Sequence, residues 1–253
     1  MTTEPRPTIT SSVFLPAQDV RSGTLPDTIS MEPIIEGVPF ATELVLLDDV
    51  DGFFAVWECG PGVYPRVKDR RGSFMYILSG AGTITDEDGT THDLTPDSVL
   101  ILPYGWVGTW TITETIRKVY LHSTPVEPFR TGVQPSVFLD AETVLNGYWP
   151  EIVPMDPIIA GAETANELTI FDGPDGLGAM WECGPGVYPR VKDRRGSFMY
   201  IISGAGTISD HDGTTHTLTA GSVLGLPYGW VGTWTITETI RKFYVHTVPS
   251  LGA

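Results

Sequence analysis

The chain contains the same long segment twice. Trp57 to Pro125 reads against Trp181 to Pro249 at an offset of 124, with eleven positions differing. The match continues upstream without a gap. Val13-Phe14-Leu15 corresponds to Val137-Phe138-Leu139, and Met31, Pro33, Ile34 and Ile35 correspond to Met155, Pro157, Ile158 and Ile159. A unit of this length is a whole domain, not a solenoid element, and two copies are too few for a solenoid or propeller. The 253 residues therefore divide into two modest domains. The expected division is an N-terminal arm over 1–12, a first domain over 13–125 and a second over 126–253. The boundary falls in the stretch from Ser123 to Gln134, which holds Pro125, Pro128 and Gly132. Residues ahead of Val13 are expected to be mobile.

Within a copy the pattern is that of short strands. Phe53 to Trp57, Phe74 to Ser79, Gly82 to Asp86, Val99 to Leu102, Gly108 to Thr113 and Ile116 to His122 are rich in β-branched and aromatic residues. Turn signals separate them: Gly60-Pro61-Gly62, Asp69 to Gly72, Asp88-Gly89 and Pro103-Tyr104-Gly105. No helical period exceeds two turns. The fold class is all-β, each copy a sandwich or barrel, with a jelly roll among the solutions.

A formal net charge of −16 opposes binding to nucleic acid or to anionic membrane surfaces, because phosphate recognition needs a basic face. The longest apolar runs, such as Val99 to Leu102, are too short to span a bilayer. Met1 to Pro7 has neither a basic start nor an apolar run, so a cytoplasmic location is expected. The two cysteines, Cys59 and Cys183, stand at equivalent places in the two copies and are expected to be small buried thiols.

Two segments in each copy resemble the motifs of the cupin superfamily. The first motif of that family runs Gly, five residues, His-x-His, three or four residues, Glu, six residues, Gly. Gly60, Arg66, Lys68, Ser73 and Gly80 keep this spacing, as do Gly184, Arg190, Lys192, Ser197 and Gly204. The second motif runs Gly, five residues, Pro-x-Gly, two residues, His. Gly221, Pro227, Gly229 and Gly232 keep its frame, and Asp97, Pro103, Gly105 and Gly108 occupy it in the first copy. The stretches Gly108-Thr109-Trp110 and Arg117 to Tyr120 look like the branch that includes ureidoglycine aminohydrolase-like and ethanolamine-utilisation-like cupins. The resemblance implies two tandem cupin domains, jelly-roll-type β-barrels, forming a bicupin. It also admits pairing of two chains through an outer sheet, a homodimer, for which Phe74 and Tyr76 would suit if exposed.

In that family the two His, the Glu and the later His are metal ligands. The corresponding residues here are Arg66, Lys68, Ser73 and Gly108, and the same four replacements recur in the second copy. Arginine stays protonated and lysine is normally cationic, so neither ligates a metal at neutral pH. No metal or other cofactor is therefore expected. His122 with Glu58, and His246 with Glu182, are the remaining candidates for a different ligand set, without a spacing signature.

Strand side chains alternate, so Arg66, Lys68 and Tyr64 point the same way, into the barrel mouth of the cupin frame. Ser73, Met75 and Ile77 join them from the next strand, and Gly108, Trp110 and Ile112 share one parity. Lys118, Tyr120 and His122 share a face of the last strand, inner or outer. Twelve of the 15 Lys and Arg lie in the two segments Tyr64 to Lys118 and Tyr188 to Lys242. A cationic pocket in an acidic protein focuses small anions. The expected substrate-binding residues are Tyr64, Arg66, Ser73 and Trp110, with Tyr188, Arg190, Ser197 and Trp234. The expected acid, base or nucleophile residues are Lys68, Tyr120 and His122, with Lys192, Tyr244 and His246. A structural role weighs against this: Arg66 and Lys68 could simply pair with Glu58, Asp69 or other rim carboxylates. Trp57, Trp106, Phe74 and Tyr76 read as core or domain-interface residues, and His92 as a surface or turn residue. Ile101 is Gly225 in the second copy, which would make the second pocket the roomier if that position faces inward.

Three functions follow as alternatives. The first is a metal-independent lyase, isomerase or hydrolase acting on a small anionic metabolite. The second is a non-catalytic anion-binding or structural bicupin. The third is a metal-dependent, ureidoglycine aminohydrolase-like hydrolase with atypical ligands.

Overall fold

In each copy the strand-rich segments carry apolar side chains on both faces, as strands enclosed on both sides must. A computed structural model describes residues 9–127 and 131–247. It shows two ten-stranded antiparallel sheets, each curled into a barrel. The expected pairs Phe74 to Ser79 with Gly82 to Asp86, and Gly108 to Thr113 with Ile116 to His122, are single bent strands, Gly72–Asp86 and Val107–Ser123. Register shifts between Ile112, Glu114 and Arg117 produce the bend, so one strand serves both sides of the barrel. Its first half pairs with Gly62–Val67, and its second half with Gly52–Cys59. The second copy repeats the arrangement with Ser197–Asp210 and Val231–His246. Among the described residues, no helix is long and apolar enough to cross a membrane.

Alternation sorts the side chains into three cores. Ala55, Trp57, Cys59, Met75 and Ile77 fill the first barrel, and their counterparts fill the second. The opposite faces, Phe54, Val56, Phe74, Tyr76, Val119 and Leu121, form one shared core with Phe171, Met180, Phe198, Tyr200 and Phe243 of the other barrel. Tyr76 meets Tyr200 with ring centroids 4.2 Å apart, and Phe74 meets Phe171 at 5.8 Å. Phe74 and Tyr76 are thus covered within one chain and offer no face to a second chain.

The copies also exchange their leading strands. Val13–Leu15 adds to the sheet of the second barrel beside Val223–Leu226, and Val137–Leu139 adds to the first beside Val99–Leu102. Carboxylates hold these arms: Asp210 accepts from Ser12 N at 2.8 Å, and Asp86 accepts from Ser136 N at 2.9 Å. Of the arm expected to be mobile, residues 1–8 lie outside the described residues, and the rest is docked through Ser12 and a bridge from Thr10 to Trp230. His92, expected in a turn, stacks on the incoming Phe138 at 5.0 Å. Cys59 and Cys183 are buried, unbridged thiols.

The exchange of Ile101 for Gly225 does not open a pocket, because this position faces the other barrel. Ile101 belongs to the shared core, and a Cβ on Gly178 would lie 3.0 Å from both Ile101 Cδ1 and Phe74 Cδ1. Gly178 stands where the first copy has Phe54. Bulk on one barrel is therefore matched by its absence on the other. Restoring the first copy's residue with Gly178→Phe overpacks this interface, with an expected loss of about 1–3 kcal/mol. In denaturant unfolding, Ile101→Gly combined with Gly178→Phe should cost less than the sum of the two changes. Simple additivity would mean that the two residues do not share this space.

Candidate functional site

Each barrel holds a cavity, of about 180 Å3 in the first and about 200 Å3 in the second. The near-equality follows from the placement of Ile101 and Gly225 outside them. The first is lined by Tyr64, Arg66, Lys68, Trp110, Tyr120 and His122, together with Trp57, Met75 and Lys118. The second is lined by the corresponding residues and by Ser197. Val107–Ser123 thus turns Lys118, Tyr120 and His122 to the inside.

Register accounts for the contacts. His122 lies directly opposite Ser73, and Ser73 Oγ is 2.7 Å from His122 Nδ1; the Ser197–His246 pair is at 2.5 Å. Burial, with Lys68 and Lys118 nearby, holds the His122 pKa well below the usual range, so the imidazole is neutral. His246 behaves likewise through burial and Lys192. Lys118 lies opposite Trp57, and its Nζ sits 4.3 Å from the Trp57 ring centroid and 4.2 Å from that of Trp110. Met75 Sδ accepts from the same nitrogen at 3.3 Å. Lys242 has the same surroundings, 4.2 Å from Trp181 and 4.5 Å from Trp234.

Burial dominates the electrostatics of these amines. It lowers the Lys118 pKa well below the lysine range, and Lys68 and Arg66 add repulsion. Lys242 is lowered to about 7 by burial, then by Lys192 and Arg190. The indole faces oppose this, since cation–π contact favours the ammonium form by ~0.5–2 kcal/mol. Lys68 and Lys192 are each lowered to about 8, by burial first and by the neighbouring Arg66 or Arg190 second. The chain's only four lysines are these four, and all of them line the two cavities. Lysine is ordinarily a surface residue, so their confinement to the barrels is unusual.

The arginines and one pair of tyrosines are already engaged. Arg66 Nη1 donates to Pro33 O at 3.0 Å and Nη2 to Met31 O at 2.8 Å; Arg190 holds Pro157 and Met155 in the same way. Arg66 faces Gly108 across the sheet, where no side chain competes for its guanidinium. Its wall therefore carries positive charge, but most of the fork is spent on the loop at the mouth. Tyr64 Oη lies 3.2 Å from the carbonyl oxygens of both Val38 and Pro61 and accepts from Cys59 Sγ at 3.6 Å. Burial pushes the Tyr64 hydroxyl up to about 12, so its ring serves the cavity while its hydroxyl fastens the rim.

Three contributors escaped the sequence reading. Tyr120 donates to Glu43, and Tyr244 donates to Glu167 at 2.7 Å. Burial raises the pKa of both carboxyls. Glu43 and Glu167 are identical at the repeat offset within 38–50, where the copies differ at most positions, a signal that could have found them. Trp57, read as core or interface, is a barrel-core residue that also walls the cavity, as Trp181 does in the second barrel, and Lys118 and Lys242 had no assigned role.

The cupin ligand set does not fit a metal. Arg66, Lys68 and Ser73 supply two cations and a hydroxyl already paired with His122. At Gly108 a Cβ would lie 2.3 Å from Thr85 O and 2.4 Å from the Trp106 ring, so no ligand side chain can stand there. The alternative pair also separates: His122 faces the cavity, whereas Glu58 is bound to Arg117 at 3.2 Å and Glu182 to Arg241 at 2.8 Å. Among the described residues, no three His, Cys, Asp or Glu side chains come together as a metal-holding group.

A family model for the EutQ-like cupin domain matches the sequence twice, over residues 52–120 and 177–244. No curated protein matches it. Among solved structures, a protein of unknown function from Pseudomonas syringae pv. tomato superposes with a TM-score of 0.73 at 17% identity, covering 94% of this chain and 99% of that one. The protein Ylba of E. coli gives 0.62 at 12% identity, over 99% and 97%. Salicylate 1,2-dioxygenase from Pseudaminobacter salicylatoxidans gives 0.63 at 9% identity, over 97% and 86%. At these identities the structural likeness concerns the fold.

Lys192 offers a direct check on the cavity's electrostatics. It loses its proton near pH 8 when folded and near 10.5 when unfolded. Between these values the unfolded chain holds the extra proton, so raising the pH favours the folded state. In Lys192→Met the stability curve from pH 8 to 10 should climb less steeply, by up to about 1.4 kcal/mol per pH unit. Parallel curves for the two proteins would contradict the burial of this ammonium.

Proposed function

The chain belongs to the EutQ-like cupin family, one domain to each barrel, and from that premise we propose that it is a metal-independent enzyme acting on a small anionic metabolite inside the barrels. One observation carries this reading: Arg66, Lys68 and Lys118 converge on one cavity, and none of the three forms an ion pair among the described residues. A cavity of about 200 Å3 lies below the roughly 300 Å3 at which drug-sized pockets begin, so the ligand has few heavy atoms. Binding an anion returns to the ammonium groups the stabilisation that burial removed.

The side chains then divide by chemistry. Lys68, protonated below about pH 8, holds the anionic group, with the field of Arg66 behind it. The neutral His122 can accept a proton, and its orientation is set by Ser73. The Tyr120–Glu43 pair, with Glu43 raised by burial, can donate one. A proton acceptor and a proton donor beside a fixed anion suit elimination, isomerisation or hydrolysis. Lys192, His246, Tyr244 and Glu167 do the same in the second barrel.

Calorimetric titration with small carboxylates and phosphate tests the binding step. Affinity should fall as the pH rises through 8, and Lys68→Gln with Lys192→Gln should weaken it at least about tenfold, the worth of one charge-assisted hydrogen bond. An unchanged Kd in the double variant would sink the basic-pocket reading. Elemental analysis of protein purified without chelators or a metal column addresses the metal. Less than stoichiometric content is expected, and one or two tightly bound ions per chain would return the hydrolase with atypical ligands to first place.

A further inference from the structure

We propose that Lys118 and Lys242 are nucleophiles that condense with the carbonyl carbon of a small 2-oxo acid to form an imine. This rests on the anion-binding reading of the same cavities and names the substrate class. The two lysines of each barrel have different surroundings. Lys68 follows the strand Gly62–Val67 at the mouth, its backbone tied to Trp106 and Gly105. Lys118 lies within, between the faces of Trp57 and Trp110 and against Met75 Sδ, with Tyr120 at 5.4 Å. No carboxylate lies within ion-pair distance of it among the described residues. The π faces and Glu43 favour the ammonium form of Lys118, but burial and the nearby Lys68 and Arg66 outweigh them, so the amine can present its lone pair.

The spatial relation of the two amines selects the substrate. Lys68 and Lys118 face one small cavity and repel each other's charge. Because both amines line one cavity of about 180 Å3, a small ligand whose carboxylate is held by Lys68 keeps its adjoining carbon in the same space as Lys118, and a carbonyl at that carbon makes the ligand a 2-oxo acid. The Nζ lone pair adds to the carbonyl carbon, forming the C–N bond as the π pair moves to oxygen. That oxygen takes the proton released by nitrogen, giving a carbinolamine. A second proton leaves nitrogen, the C–O bond breaks, and oxygen departs as water while C=N forms. Lys68, charged below about pH 8, and the Tyr120–Glu43 pair can relay the protons. The imine then serves as electron sink for loss or gain of a group at the neighbouring carbon.

The sequence makes the test clean, since the four cavity lysines are the chain's only side-chain amines. The full protein is incubated with pyruvate and reduced with borohydride, and the adducts are mapped by peptide mass. Binding of pyruvate is followed separately by indole fluorescence. The expected result is a reduced adduct on Lys118 and Lys242, lost in Lys118→Met with Lys242→Met while Lys68 and Lys192 remain unmodified. Adducts only on Lys68, Lys192 or the N-terminus would overturn the assignment. Binding without any adduct would overturn imine formation and leave the anion reading standing. Neither binding nor adduct would overturn both.

Discussion

The pairing of the long bent strands, Gly72–Asp86 with Val107–Ser123, is the constraint from which the cavity follows. Its register sets His122 opposite Ser73, and the neighbouring register sets Lys118 opposite Trp57. A slip of one residue would turn Val119 and Leu121 into the cavity and drive Lys118 and His122 into the shared core between barrels. The bulges near Glu114 allow one strand to deliver Trp110 to one wall and Lys118 to the opposite one. The cage around Lys118 is therefore a product of strand geometry, not of a loop that could rearrange.

Within that frame the second constraint is the cost of uncompensated positive charge. Two amines and a guanidinium share each cavity, and burial lowers the pKa of every amine in it. Glu43 and Glu167 offset this only in part, after burial and the neighbouring cations. Arg66 offsets part of its own burial by donating to carbonyls of the mouth loop. Lys118 and Lys242 have instead a methionine sulfur and two indole faces. Natural proteins keep groups like these where chemistry uses them, because a well-packed apolar side chain would be more stable in the same place.

The two barrels are not independent copies joined by a linker. Their inner cores are nearly identical, but the shared core pairs Ile101 and Phe74 with Gly178. The exchanged arms and the carboxylate clasps, Asp51 to Tyr228 N at 2.7 Å and Asp175 to Tyr104 N at 2.9 Å, lock the same boundary from both sides. The differences at this boundary include Ile101/Gly225, Val119/Phe243 and Phe54/Gly178, while the cavity-lining residues from Trp57 onward are identical in the two copies. Two closely similar sites thus flank one asymmetric interface.

Much of this was legible in the chain. The repeat, the all-β class, the inward parity of Tyr64, Arg66 and Lys68, and the loss of the cupin ligands all follow from local spacing. Alternation has a period of two wherever a strand is made. What local spacing left open was which face of the last strand looks inward. Val119 and Leu121 are as apolar as the barrel interior, because both faces of that strand are buried, so no polarity contrast marks one as inner. The destination of Ile101, the engagement of Arg66 by the mouth loop, the Tyr120–Glu43 pair and the crossing of the arms were undecided for a related reason. Each joins residues far apart in sequence whose proximity depends on closure of the barrel and its docking on the other. The sequence by itself determined the architecture and the chemical inventory; only the tertiary structure decided which cations are caged, which are spent, and which faces the two barrels turn to each other.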